Sequence, residues 1–216
     1  VAVGTVADYL VELTNAAFED SKVFARLEIA ALESVKFDSP VLVRNVLIAM
    51  WKQESPFQDI EDDLGNGNAD MAITLVESRD PEETSAGIAY TGNQFYTQRF
   101  SVTRYYGYPS YTFAHEIGHN LGAGHNRETY ENNGKDRTTF SYAFGYLVEN
   151  VQRTIMSYTS GANETRIPQY SNPSISYNGY PTGISTASDN SAFVARAFTN
   201  NRHVAVDGSD NEFRFE

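Results

Sequence analysis

The chain has 216 residues, with 28 acidic against 16 basic side chains and a formal net charge of −12. That length suffices for one buried core, and the charge argues against a partner built on a phosphate backbone, so no nucleic acid is expected. There is no cysteine to form a disulfide or a thiolate metal ligand, and no apolar run approaches the roughly 18 residues that span a bilayer, so no membrane partner is expected either.

Residues 5–21 place Val6, Tyr9, Leu10, Leu13 and Phe18 near helical spacing and predict a helix. Residues 23–37 alternate in part, at Phe24, Leu27 and Ile29, and predict a strand, with helix as the competing reading. After Ser39-Pro40, residues 41–55 set Val41, Val43, Val46, Leu47, Met50 and Trp51 on a core-facing helix. Residues 58–70 are acidic and end in glycine and asparagine. Asp62, Asp63, Asn66, Asn68 and Asp70 could hold Ca²⁺ through oxygen, but the spacing misses the EF-hand pattern and a solvated turn is the simpler reading. Residues 71–76 are a short apolar run bounded by turn signals, a buried strand. Gly87-Ile88-Ala89-Tyr90 is a short strand between polar loops, and residues 100–106 form a last strand before the central motif.

That motif is His115-Glu116-Ile117-Gly118-His119-Asn120-Leu121-Gly122-Ala123-Gly124-His125, which holds three of the four histidines. Pro109 and Ser110 supply a start signal for a helix here. On it His115 and His119, four apart, project side by side and can grip one Zn²⁺. Ala114, Ile117 and Leu121 give the helix a buried stripe while the histidines face a cleft. Gly122 can take positive φ, stop the helix and let His125 return to the metal. Three protein ligands leave a fourth corner open, as a catalytic zinc requires, and Glu116 flanks the pair where it can reach a water rather than the metal.

The stretch 126–139 reads as a loop, and the aromatic residues 140–148 pack beneath the site. Residues 159–183 are mostly turn-forming, and residues 188–206 predict a closing helix on Ala192, Phe193, Ala195, Ala197 and Phe198, with His203 outside the motif. There are no internal repeats.

The motif fits HExxHxxGxxH, so the chain resembles the metzincin zinc endopeptidases. Their methionine turn is matched by Thr154-Ile155-Met156-Ser157-Tyr158, with Met156 thirty-one residues after His125 (156 − 125 = 31). The string is closest to the adamalysin or reprolysin-like branch. Two departures stand out: Asn126 follows the third histidine where adamalysins carry Asp, and Tyr158 follows Met156 by two, as in astacins and serralysins. Animal adamalysins are disulfide-linked, so a cysteine-free version resembles a bacterial or archaeal enzyme.

The resemblance implies an α/β (α+β) fold: a twisted mixed sheet, an active-site helix, a cleft, and a smaller irregular C-terminal subdomain. Residues 1–216 then form one catalytic domain, with an upper part to about residue 122 and a lower part from about 123. It implies a zinc-dependent endopeptidase in which Glu116 is the base, His115, His119 and His125 hold one Zn²⁺, Met156 supports them, and Tyr158 either ligates zinc or bears oxyanion charge. Gly87, Ile88 and Ala89 correspond to an edge strand that binds extended peptide, with a plain edge strand as the other reading. Arg153 and Arg166 lie near the loop that walls the pocket for the side chain after the cut bond, where an arginine could hold an acidic side chain. A zinc-binding, inactive module is the alternative. Protein or peptide substrates, a monomer, a secreted bacterial setting, and a precursor with signal and propeptide already removed before Val1 complete the expectations.

Overall fold

Helix α1 runs over Val3–Asp20, close to the expected 5–21, and buries Val6, Leu10, Ala17 and Phe18 along one face. The protein is seen in a computed structural model that describes residues 3–37, 41–77, 82–91, 99–105, 111–129, 138–161 and 163–201. The strand expected over 23–37 does not form. The segment is anchored instead at Leu27, whose N–H donates to Asn15 Oδ1 (2.7 Å) and whose carbonyl accepts from Asn15 Nδ2 (3.0 Å). Partial alternation supplies no neighbour to pair with; most of the segment is exposed, and a side-chain amide of α1 takes the neighbour's place at one residue.

Helix α2, Val43–Lys52, is shorter than the expected 41–55 because Gln53 turns left-handed (φ 55°) and its N–H closes on the last carbonyls. Residues 60–67, expected as a turn, form helix α3, Ile60–Gly67. Glu61, Asp62 and Asp63 sit in its first turn, where acidic side chains favour the positive end of a helix, and Asn68 (φ 48°) is its left-handed cap. Four of the residues weighed as calcium ligands therefore lie in or beside this helix.

Strands β1 (Ala72–Val76), β2 (Gly87–Ala89) and β3 (Phe100–Arg104) make a mixed sheet in the order β1-β3-β2. β1 runs parallel to β3, and β2 antiparallel to it with Ile88 opposite Val102. Alternation puts the two faces to different uses. Ala72, Val76, Phe100, Val102, Ile88 and Tyr90 pack with α2 and α3, whereas Ile73 and Leu75 face α1 and the central helix α4, Thr112–Asn120.

After α4 the chain is built from short pieces: β4 (Gly124–Asn126) beside β5 (Phe144–Gly145), then β6 (Leu147–Val148), β7 (Gln152–Arg153) and β8 (Thr165–Arg166) in one small sheet. A hairpin of β9 (Ser176–Tyr177) and β10 (Tyr180–Pro181) and helix α5 (Val194–Asn201) follow. The closing helix starts at Val194 rather than at the expected 188, and residues 202–206, His203 among them, lie outside the described residues. One cluster links the two parts: Val6, Leu10 and Phe18 of α1 and Ile117 of α4 pack with Ile155, Met156, Tyr170, Val194 and Phe198. Among the described residues no helix is long and apolar enough to cross a membrane.

Candidate active site

Helix α4 begins at Thr112; Pro109 and Ser110 lie outside the described residues. Rather than one buried stripe, every residue from Thr112 to His119 is buried. The sheet covers one side and α1 with the methionine turn the other, so even the histidines are enclosed. Tyr170, itself fully buried, donates its hydroxyl to the Ala114 carbonyl (2.7 Å) and stacks on Phe18. The helix stops as expected: Gly122 takes φ +92°, its N–H donates to His119 O (2.8 Å), and Ala123 N–H donates to Gly118 O (2.9 Å). β4 then carries His125 back beneath the helix.

The three histidines converge through Nε2. His119 Nε2 lies 3.1 Å from His115 Nε2 and 3.1 Å from His125 Nε2, and the third separation is 3.2 Å. Three nitrogens about 2.0–2.1 Å from one Zn²⁺ stand about 3.3–3.4 Å apart in a regular tetrahedron, so the trio fits that ion with slight compression. Among the described residues no cysteine or carboxylate joins the group. The other ring nitrogens set the tautomer: Nδ1 of His115 donates to Ile155 O (2.8 Å) and Nδ1 of His119 to Ala123 O (2.8 Å), which leaves both Nε2 lone pairs inward. Burial, and then the neighbouring His119 and His125, hold His115 well below the ordinary histidine range, so it is neutral and able to ligate.

Glu116 is buried, and that desolvation pushes its carboxyl up to about 8, with Arg166 pulling the other way. Its carboxylate lies against the backbone of β2: a Cβ placed on Gly87 would meet Glu116 Oε1 at 2.6 Å. The edge strand and the acid therefore share one wall. Ala86 O and Tyr90 N–H bond to β3, so alternation turns the backbone groups of Gly87 and Ala89 outward, to an edge that no described strand pairs with.

Met156 is fully buried under the motif, and a Cβ on Gly118 would stand 2.3 Å from its sulfur. Tyr158 lays its ring flat against His125 at 3.8 Å and near-parallel to His115 at 5.9 Å. Its backbone N–H donates to Asn126 Oδ1 (3.0 Å), so the residue after the third histidine ties β4 to the end of the methionine turn. Arg153 and Arg166 are direct cross-strand partners on β7 and β8. Arg153 Nη1 donates to Ser157 O (2.8 Å), and the Nε atoms of both arginines are buried without a hydrogen-bond partner. Burial, and after it the like charge of Arg153, press Arg166 down to about 10, while Glu116 and Tyr158 pull it up. Like charges set opposite each other on a sheet repel, so this pair is a place where an anion is favoured.

Sequence reasoning assigned no role to four residues that hold this arrangement. Asn120 donates to the carbonyls of Tyr90 (3.2 Å) and Phe100 (3.0 Å), binding the helix end to the sheet. Gly145 admits the backbone of Met156 and Ser157, which a Cβ would meet at 2.7 Å. Gly118 and Tyr170 complete the set. Only the glycines carried any signal, and glycine has too many uses to be read alone.

A helix bearing two histidines, a glycine reversal to the third and a methionine beneath them define a metzincin-type metallopeptidase domain. The chain belongs to the reprolysin-like branch: the family model described as "Metallo-peptidase family M12B Reprolysin-like" matches residues 7–126, more than half of its length. It is 28% identical over 184 residues to a "Peptidyl-Asp metalloendopeptidase" of Stenotrophomonas maltophilia (strain R551-3), across 82% of this chain and 42% of that relative. A protein of the same description from Xanthomonas campestris pv. campestris is 39% identical over 90 residues, across 42% of this chain and 21% of that one. The chain thus spans less than half the length of these curated relatives. A solved structure described as a chaperone–substrate complex contains a chain that superposes with TM-score 0.69 over 94% of this chain and 34% of that one. At 19% identity that likeness shows the fold alone.

Proposed function

We propose that the protein is a zinc-dependent endopeptidase that cuts peptide chains on the amino side of aspartyl residues. The observation that carries this reading is the convergence of three histidine Nε2 atoms beside the buried Glu116, with Arg153 and Arg166 paired nearby. The name of the relatives, peptidyl-Asp metalloendopeptidase, supports the acidic preference. The alternative of an inactive zinc-binding module is not favoured, because the ligands and the acid are all in place.

His115, His119 and His125 would hold the zinc, which supplies Lewis acidity to polarise a carbonyl and to let water ionise near neutral pH. Glu116 takes the proton from the attacking water and returns it to the leaving amine. Burial of Glu116 favours its neutral form, so a proton taken from the water is held until the leaving amine accepts it. Tyr158 lends its hydroxyl to the oxygen on which charge develops. The outward backbone groups of Gly87 and Ala89 hold the substrate as an added strand, and Ile88 between them fixes the register. Arg166, aided by Arg153, receives the acidic side chain by charge-assisted hydrogen bonds. The proposed setting is a bacterium that secretes the enzyme as a monomer from a latent precursor, and the bacterial source of the relatives supports the first part.

Cleavage-site profiling of the zinc-loaded protein, with and without chelator, tests the proposal. Cuts clustered before Asp and lost on chelation are expected. Large apolar residues after the cut bond overturn the acidic preference, and cutting that survives complete chelation overturns the metal. Arg166→Ala should lower kcat/KM on Asp peptides roughly 10- to 100-fold, the worth of about 1.5–3 kcal/mol for a hydrogen bond to a charged group.

A further inference from the structure

Trp51 is the sole tryptophan of the chain and closes the C-terminal end of α2, where it stays 45% exposed. Its ring meets that of Tyr90 edge to face, with centroids 6.2 Å apart. The motif and its mechanism make no use of this pair, yet it adjoins the substrate edge. Tyr90 directly follows β2, and its N–H still bonds to Phe100 O (3.4 Å). β2 leaves the catalytic acid at Gly87, where a Cβ would touch Glu116, and reaches Tyr90 three residues on, about 10 Å along an extended chain.

Parity then decides which side chains matter. A Cβ on Gly87 would point to α4's face of the sheet, so Ile88 and Tyr90 point to α2's face, and both do pack with the α2 cluster. A peptide paired to the outer edge of β2, with its cut bond opposite Gly87, alternates in step. Its side chain opposite Tyr90 therefore also lies on α2's face, beside the exposed part of Trp51. We infer that Trp51 and Tyr90 form an aromatic subsite that takes an apolar, preferably aromatic, substrate side chain three residues from the scissile bond. Two aromatic rings offer a third one both apolar area and edge-to-face geometry, while glycine at that position gains neither. This inference rests on the reading of β2 as the substrate strand, and it adds a second point of selection to the arginine pair.

The test uses two matched peptide series around one Asp, with Phe or Gly placed three residues before the cut in one series and three residues after it in the other. In one of the two series, Phe should raise kcat/KM about tenfold over Gly, and Trp51→Ala should erase that difference while Trp51→Phe keeps part of it. Binding is read independently by titrating the same peptides into the Glu116→Gln protein and following the emission of Trp51. The Phe peptide should shift that emission at lower concentration than its Gly counterpart. Equal cutting and equal titration of Phe and Gly peptides in both series would overturn the subsite, as would a Phe preference that survives Trp51→Ala. Since emission reports binding rather than turnover, a protein that binds the Phe peptide but never cuts before Asp would sink the proposed activity and uphold the subsite.

Discussion

At Gly118 the motif tolerates no side chain: besides the Met156 sulfur at 2.3 Å, a Cβ would find a Tyr170 ring carbon at 3.3 Å. Both neighbours are fully buried, so neither has open space to move into. Gly118→Ala should cost about 1–3 kcal/mol of stability through overpacking and weaken zinc retention, because Ile155, which precedes Met156, holds His115 by its carbonyl. Thermal unfolding and zinc titration against a competing chelator check this, and wild-type values in both would show that the methionine swings aside freely. A second residue-scale prediction concerns Glu164. The hydroxyls of Ser160 and Thr159 donate to its carboxylate and hold it down to about 2 from an ordinary 4.5. A carboxyl whose pKa falls on folding stabilises the fold above the unfolded value, about 4.5, and that contribution is lost as pH falls through about 2. Glu164→Gln should therefore unfold more easily than the wild type at pH 7, with the gap narrowing below pH 4.5 and closing only below about pH 2. Parallel melting curves across that range would settle it, and a gap independent of pH would count against the charge.

Elements were legible where their pattern was self-contained. α1, α2 and β1 rest on apolar spacings that a short window displays, and the motif helix with its Gly122 reversal is nearly complete in eleven residues. α3 was missed because its acidic residues look like a solvated turn until one counts them as a favourable first turn. The strand at 23–37 failed for the opposite reason: its local pattern was right for extended chain, but strand formation is a property of two segments. How α4 meets the sheet was likewise invisible, and one residue tests it. Asn120→Ala removes two hydrogen bonds from α4 to the strand ends at Tyr90 and Phe100, each worth about 0.5–1.5 kcal/mol. Since these position the proposed substrate edge rather than the histidines, KM should rise about 3- to 10-fold with kcat and zinc content near wild type. Steady-state kinetics with metal analysis decide it, and a fall confined to kcat would mean that Asn120 serves the chemistry instead.

For the whole molecule, a zinc held by the three histidines would tie together α4 and β4, and the carbonyls of Ile155 and Ala123 hold two of the rings. An ion bound only by the folded state stabilises it by about 2.7 kcal/mol when present at a hundred times its dissociation constant. For a chain of this size that corresponds to about 5–10 °C in Tm, so chelation should lower Tm by that much and restored zinc should recover it. Calorimetry with and without chelator reads the shift directly; an unchanged Tm would mean that the trio holds no ion.

The sequence by itself determined the three candidate ligands, the candidate acid and the point of reversal, because each follows from spacing along one helix and one glycine. The methionine beneath them was legible only through the family resemblance. Tertiary structure alone decided the rest. It selected carbonyls for two histidine Nδ1 atoms, set Arg153 opposite Arg166, turned Tyr158 onto His125, and brought Gly87 against Glu116. Those partners lie from 4 to 40 residues apart, and nothing in local chemistry says which of many distant groups will arrive. A metal site's inner ligands are written in short-range periodicity, whereas what orients them and what selects the substrate is written in packing.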